Sequence, residues 1–155
     1  MNEQWSISKR PLILSDLYGL NNVKSYFYEQ AKKKTWPKAV LLRGQFGNGK
    51  TTTAKIIASM MVCHHPKPNG DPCLECPACK AILEEKWDSD AMLIDGGQSG
   101  KSDIIEQVNE FIATPAFYGS RRKVLIIEEV QELSTAARNS LLKTLEHPKE
   151  NKNIC

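Results

Sequence analysis

Apolar residues follow two spacings along the chain, and these predict strands separated by helices. Three short apolar runs, at 39–42, 91–94 and 124–127, have the length and composition of buried strands. Elsewhere apolar residues recur every three or four positions, which is the spacing of a helix with one buried face. Residues 151–155 are predicted to lead into a fourth strand.

Residues that favour helix starts stand before most of the helical stretches. One helix is predicted over 52–62. Four more are predicted to follow capping or first-turn residues, namely Asn21 or Asn22, Pro77, Ser102 or Asp103, and Ser134. The first of these four ends in a lysine run at 32–34, where positive charge suits the helix dipole. Such a run is more often a solvated helix end than a nucleic-acid site. Residues 1–20 are predicted to form an irregular, packed lead-in segment.

Composition adds limits to this picture. The 155 residues suffice for one domain with a real core, and 41% apolar and 25% charged residues are ordinary for a globular protein. A net charge of +3 is too small to indicate nucleic-acid binding by itself. No apolar run approaches the roughly 20 residues of a membrane helix, and residues 1–9 lack a signal-peptide core. We therefore expect a cytoplasmic protein without membrane contact, in which thiols stay reduced.

A glycine-rich stretch between the first predicted strand and its helix has the spacing G-x-x-x-x-G-K-T of a phosphate-binding loop. In such a loop the glycines let successive N–H groups point at an anion. Lys50 would reach the β- and γ-phosphates, and the Thr51 hydroxyl would ligate Mg²⁺. The flanking strand and helix argue against a chance match. The loop residues are Gly44, Gln45, Phe46, Gly47, Asn48, Gly49, Lys50 and Thr51.

Four cysteines cluster at 63–80, a stretch rich in proline that reads as a small separate unit. Cys73, Cys76 and Cys79 have C-x₂-C-x₂-C spacing, and Cys63 can be the fourth ligand of a closed, structural Zn²⁺ site. An iron–sulfur cluster also uses four cysteines and is the main competitor. His64 or His65 can replace Cys63 as the fourth ligand. Unliganded cysteines buried as small hydrophobic residues are a poorer match, because this stretch offers no core.

Two acidic residues end the third predicted strand. In a chain with a phosphate-binding loop, a strand followed by acids is the second half of an ATPase site. Glu128 would hold Mg²⁺, and Glu129 would orient or deprotonate the attacking water. Two solvated carboxylates at a strand end are the alternative. We favour the site, because ligands in such folds bind at the carboxyl edge of the sheet.

The loop, the four-cysteine insert and the strand with its two glutamates occur in one order. Together they resemble the ATPase core of the γ/τ subunits of bacterial DNA polymerase III, which belong to the clamp loader. The cysteine insert is the most discriminating feature. Further similar segments include that family's adenine-proximal segment and the helix after its acidic strand. They are Arg10 and Pro11, Asp16 to Gly19, Thr114 to Gly119, and Asn139 to Glu146 with Pro148.

The resemblance implies an α/β fold, a P-loop NTPase of the AAA+ class with a parallel sheet and helices on both faces. Residues 1–155 would form a truncated AAA+ domain with 63–80 as its zinc-binding insert. The missing fourth strand belongs in the middle of that sheet, so we expect a piece of a larger protein or a split protein completed by a partner. Tyr18 and Thr52 would join the loop in binding nucleotide.

The function implied is ATP binding and hydrolysis that opens a sliding clamp and loads it onto primed DNA. ATP, Mg²⁺ and Zn²⁺ would be the cofactors, and other clamp-loader subunits, the clamp and DNA the partners. Lys101, near a predicted helix start, would face DNA phosphates. Alternatives are a non-catalytic, stator-like clamp-loader scaffold and an AAA+ ATPase of recombination or repair. Glu128 departs from the family's usual Asp, and Gln131 stands where His is common. Because an arginine finger would come from a neighbouring subunit, we expect weak ATP binding and poor hydrolysis by this chain alone.

Overall fold

The computed structural model describes residues 10–87, 90–97, 103–116 and 122–146. Three α-helices precede the first strand, and strands and helices then alternate. Two 3₁₀ turns lie at Leu14–Asp16 and Val130–Glu132. The regular elements are α1 (Asn21–Lys33), α2 (Lys50–Val62), α3 (Pro77–Leu83), β1 (Ala91–Asp95), α4 (Asp103–Ala113), β2 (Val124–Glu128) and α5 (Thr135–Glu146).

β1 and β2 form a parallel two-stranded sheet, with Ala91 opposite Val124 and Asp95 opposite Glu128. Successive strand residues point to opposite faces of a sheet. One face packs against α2 and α3, whose core also includes Phe27 of α1, and the other face packs against α4 and α5. The expected α/β architecture, a parallel sheet with helices on both faces, is present in this small form. The helices of the described ranges are too short or too polar to cross a bilayer.

Helix α2 lies at the centre of the larger core. It contacts α1, α3, β2 and the 3₁₀ turn at Leu14–Asp16. Every residue from Ile56 to Val62 is buried, whereas the sequence predicted burial of one face. The reason is that Leu14 and Leu17 of the N-terminal segment cover the side of α2 that would otherwise face solvent. Leu14 and Leu17 are therefore packed as predicted for this segment, whereas Leu12, Tyr18 and Leu20 are exposed.

The strand predicted at 39–42 is not formed in the described residues, and this prediction was wrong. A strand needs a neighbour that supplies its ladder of hydrogen bonds, and β1 and β2 pair with each other instead. Leu41 consequently remains 79% exposed, despite its place in an apolar run. Val40 packs partly against the larger core.

Two of the predicted helix starts are confirmed, the start of α1 is not, and α2 begins at Lys50 rather than at Thr52. Ser134 Oγ accepts the Ala137 N–H at 3.2 Å, as an N-cap should, and Pro77 is the first residue of α3. For α1 the N-cap is Leu20, in a left-handed conformation and without a side-chain hydrogen bond. The prediction of Asn21 or Asn22 was wrong, because the helix already includes both. Ser102, Pro148 and residues 151–155 lie outside the described residues.

Candidate functional site

The glycine-rich loop turns sharply into α2. Gly47 and Gly49 have φ of 83° and 73°, a left-handed conformation that favours glycine. The Asn48 N–H donates to Gln45 O at 3.3 Å, and the Thr53 N–H donates to Gly49 O at 2.9 Å as the first bond of the helix. The N–H groups of the turn before Thr53 stand outside the helical ladder. An exposed helix start of this kind favours an anion.

Lys50 folds back over the loop that precedes it. Its Nζ donates to Gly44 O at 3.0 Å and to Gln45 O at 2.8 Å. The ammonium group is thus held inside the curve of the loop by two neutral carbonyl oxygens. Because a phosphate oxygen carries negative charge and a carbonyl oxygen does not, a phosphate that entered the loop would add ionic attraction and be a better partner for Lys50.

The residues expected to hold the rest of a nucleotide differ in their surroundings. Thr51 is half-buried, and Thr52 lines a cavity of about 150 Å³ together with Arg10, Pro11 and Lys55. The N-terminal segment, α2 and α3 form the walls of this cavity. Tyr18 is fully exposed and does not line the cavity. The N-terminal segment is therefore beside α2, and the nucleotide-binding role of Tyr18 stays a prediction.

Glu128 ends β2, and its neighbour across the sheet is Asp95 at the end of β1. Two carboxylates therefore share one edge of the sheet. The Gly96 N–H donates to Glu128 O at 3.0 Å, and Asp95 Oδ1 accepts the Gly97 N–H at 2.9 Å. Asp95 directly follows the apolar run at 91–94, and the sequence analysis assigned it no role. The parallel register is what brings it beside Glu128.

Glu129 lies just beyond the strand, exposed and with a φ of 48°. A residue other than glycine in this region carries strain, and such residues cluster at functional sites. Gln131 Nε2 donates to Glu129 Oε2, and the Glu132 N–H donates to Glu129 O at 2.8 Å. Gln131 therefore holds the carboxylate that the sequence assigned to the attacking water.

The loop and the acidic residues belong to elements that pack against each other. α2 begins at the loop and contacts β2, which ends at Glu128. Among the described residues, no hydrogen bond or ion pair joins Lys50 or Thr51 to Glu128 or Glu129. The glycine-rich loop and the two glutamates are thus connected through the packing of α2 against β2. Lys101 lies outside the described residues.

The four predicted cysteines converge. The Sγ atoms of Cys63, Cys73, Cys76 and Cys79 all lie within 4.8 Å of one another. In a tetrahedral Zn²⁺ site with Zn–S bonds of about 2.3 Å, the sulfurs would be about 3.8 Å apart. The Cys73 N–H donates to Cys63 Sγ and the Cys76 N–H donates to Cys73 Sγ, each at 3.3 Å. The donor set fits a closed four-thiolate metal shell, and the two histidines are not in the cluster.

The thiols of this cluster differ in their protonation. Burial opposes ionisation of Cys73, but N–H donors from Glu75 and Cys76, with neighbouring thiols, lower the pKa of Cys73 to about 6. Burial, together with the Cys76 thiol, strongly raises the pKa of Cys79. Burial also raises the pKa of Cys63. Cys73 is therefore available as a thiolate near neutral pH, and a metal would displace the protons of Cys63 and Cys79.

A buried carboxylate attaches the cysteine cluster to α1. Asp71 is 2% exposed, and its oxygens accept hydrogen bonds from Tyr28 Oη at 2.8 Å and from Asn69 Nδ2 at 2.6 Å. Gly70 packs so closely that an added Cβ would lie 2.8 Å from Ala31 Cβ. Sequence reasoning missed these contacts, because nothing in the local pattern links residues as far apart as Tyr28 and Asp71, which are separated by 43 positions.

The parallel sheet between two helical layers, the glycine turn before α2 and the cysteine cluster define an α/β protein with one candidate anion site and one candidate metal site. The chain belongs to the family described as DNA polymerase III, delta subunit, whose sequence model matches residues 19–155. The described part of that match includes all of the regular elements.

Named relatives agree on the polymerase and name a different subunit. The chain is 37% identical to DNA polymerase III subunit tau of Bacillus subtilis over 144 residues, which is 91% of this chain and 24% of that protein. It is 34% identical to the gamma/tau subunit of Mycoplasma pneumoniae over 88% of this chain and 20% of that protein. It is 35% identical to the gamma subunit of Buchnera aphidicola over 91% of this chain and 38% of that protein.

These matches confirm the resemblance to gamma/tau subunits that the sequence predicted. The chain spans between about a fifth and two fifths of the length of these relatives. Because the family and the relatives carry the names of different subunits, the names do not decide between a motor and a scaffold. That choice depends on the chemistry of the loop and of the acidic edge.

Proposed function

We propose that this chain is the nucleotide-binding part of a clamp-loader motor, which binds and hydrolyses ATP to open a sliding clamp and load it onto primed DNA in the cytoplasm. The observation that carries the proposal is the position of Lys50, whose ammonium group lies inside the glycine loop against Gly44 O and Gln45 O. A lysine held there is ready to exchange two carbonyl partners for phosphate oxygens.

The division of roles follows from the chemistry of each group. The loop amides and Lys50 would neutralise the triphosphate, and the Thr51 hydroxyl and Glu128 would hold Mg²⁺. Mg²⁺ held there would supply positive charge that neutralises the negative charge developing during phosphoryl transfer. Glu129 would orient the attacking water. Thr52 and the cavity beside Arg10 and Pro11 offer space for the base.

The cysteine cluster would be a structural zinc site. It offers four thiolates and no open ligand position, which is typical of structural rather than catalytic zinc. Elemental analysis of the purified protein tests this assignment. One zinc per chain supports it, and iron with visible absorbance would replace it with an iron–sulfur cluster.

A nucleotide-binding assay tests the motor proposal on this chain. Lys50→Ala should weaken the binding of a fluorescent ATP analogue in Mg²⁺ by about tenfold or more, because a charge-assisted hydrogen bond contributes about 1.5–3 kcal/mol. Lys67→Ala, at an exposed lysine of the cysteine unit, is the matched control and should bind as the unaltered chain does. Equal affinity in all three proteins would refute the proposal.

A scaffold without ATP turnover is the second candidate, and two observations favour it. Glu128 is one methylene longer than the family's usual aspartate. Gln131 donates a hydrogen bond to the Glu129 carboxylate, which the motor would need for the attacking water. In the complete assembly, Glu129→Gln should abolish clamp loading by a motor while ATP binding persists. Unchanged clamp loading would establish the scaffold. An ATP-dependent activity in recombination, without any effect on clamp loading, would instead favour an AAA+ ATPase of recombination or repair.

A further inference from the structure

Positive charge that is distant in sequence gathers at the end of α1. Arg122 Nη2 donates to Lys34 O at 2.9 Å, across 88 residues of chain. Lys34 is the C-cap of α1 and follows Lys32 and Lys33 directly. Lys38 lies four residues further along. We call these five residues the α1-end surface. All but the half-buried Arg122 are exposed.

Little negative charge balances this surface. Lys33 Nζ lies 3.4 Å from Glu29 Oε2. Among the described residues, Lys32, Lys34 and Lys38 have no acidic partner. The four lysines and Glu29 together carry a net charge of +3, which equals the net charge of the whole chain. The modest overall charge therefore conceals a strong local concentration.

The surface lies away from the candidate nucleotide site. Arg122 stands two residues before β2, which begins at Val124, and Glu128 ends that strand. Four residue steps in a strand span about 13 Å. The α1-end surface is therefore at the amino edge of the sheet, whereas the acidic residues are at its carboxyl edge. A ligand of this surface would not occupy the glycine loop.

The chemistry of the surface favours phosphate over protein. Interfaces between proteins are depleted of lysine at their cores and rely on buried aromatic and apolar residues. Clustered exposed lysines instead suit phosphates, which they contact as point charges with release of counterions. We propose that the α1-end surface binds the phosphate backbone of a nucleic-acid strand without reading its bases. This inference does not depend on ATP binding.

Salt dependence of binding tests the proposal on the unaltered chain and on one triple variant. The probe is a fluorescent 20-nucleotide oligothymidine. Its binding is measured by fluorescence anisotropy at several salt concentrations in the absence of ATP. Replacing Lys32, Lys33 and Lys34 with alanine should reduce the slope of log affinity against log salt by about two, at about 0.7 per lost phosphate contact. Affinity at low salt should fall more than tenfold.

A control triple variant removes the same charge elsewhere. Lys67, Lys86 and Lys143 are exposed and lie outside the α1-end surface, and their replacement by alanine should leave the slope unchanged. An equal fall in both variants, or binding without salt dependence, would overturn the proposal. Displacement of the oligonucleotide by polyglutamate at equal charge concentration would also overturn it, in favour of an acidic protein. Circular dichroism melting verifies that both variants fold.

Discussion

Tyr28 Oη donates a hydrogen bond of 2.8 Å to Asp71 Oδ1 and so joins α1 to the cysteine cluster, 43 residues later in the chain. Burial and the Asp71 carboxylate raise the pKa of Tyr28, so the phenol stays neutral and remains a donor. The carboxylate itself is buried. A buried acceptor that loses its donor bears the full cost of desolvation.

Tyr28→Phe should therefore lower the free energy of unfolding by about 1–3 kcal/mol. Urea denaturation of the metal-loaded protein measures the change. Tyr26→Phe is the control, since the ring of Tyr26 is 46% exposed and its hydroxyl group has no partner among the described residues. That variant should be neutral. Because the pKa of Tyr28 is raised from 10.0, its contribution is complete below pH 10 and is lost as pH rises above that value. A loss at pH 7 in the Tyr26 variant alone would contradict the assignment.

Gly70→Ala should destabilise the contact between the cysteine unit and α1. The φ of Gly70 is 96°, and a Cβ there would lie 2.8 Å from Ala31 Cβ. Gly19→Ala shares the left-handed strain, with a φ of 68°, but meets no atom within 4 Å. Thermal melting should show an additional cost of about 1–3 kcal/mol for the Gly70 variant, which is typical of overpacking. Equal melting temperatures in the two variants would remove the close contact from consideration.

Among the four clustered cysteines of the metal-free protein, Cys73 should react first with iodoacetamide. The thiolate is the nucleophile, and the lowered pKa of Cys73, about 6, keeps that form dominant at pH 7.5. The reaction rate at Cys73 should fall as pH decreases through 6, whereas buried Cys79, whose pKa is raised, should react last. Peptide mass spectrometry after timed alkylation measures this order. Bound zinc should protect both residues, and labelling of Cys79 before Cys73 would disprove the order.

Lys123→Met should destabilise the smaller core, which lies between the sheet and helices α4 and α5. Lys123 is 2% exposed, and its Nζ donates to Thr114 O at 2.7 Å, to Thr114 Oγ1 at 2.5 Å and to Phe111 O. The lysine thus satisfies carbonyl groups at the end of α4. Its removal should lower the free energy of unfolding by about 2 kcal/mol, as expected for hydrogen bonds to a charged group. Lys86→Met, at an exposed lysine, is the control. A neutral result for Lys123 would mean that water replaces its bonds.

The local sequence pattern predicted an element correctly where the stability of that element comes from its own residues. The runs that became β1 and β2 and the capping serine of α5 were predictable because hydrophobic burial and end-capping act over a few residues. The cysteine spacing likewise predicted which thiols converge. The strand predicted at 39–42 failed for the opposite reason, since a strand depends on a neighbour that its own sequence does not contain.

From its sequence alone, the chain specified the glycine turn, the four clustered cysteines, the two buried strands and membership of a polymerase family. Tertiary packing decided the rest. It placed Asp95 beside Glu128, turned the Lys50 side chain onto its own loop, bound Asp71 to Tyr28, and brought Arg122 to the end of α1. Each of these relations joins side chains through three-dimensional contact, and the directions of side chains across a core depend on all of the elements that pack there.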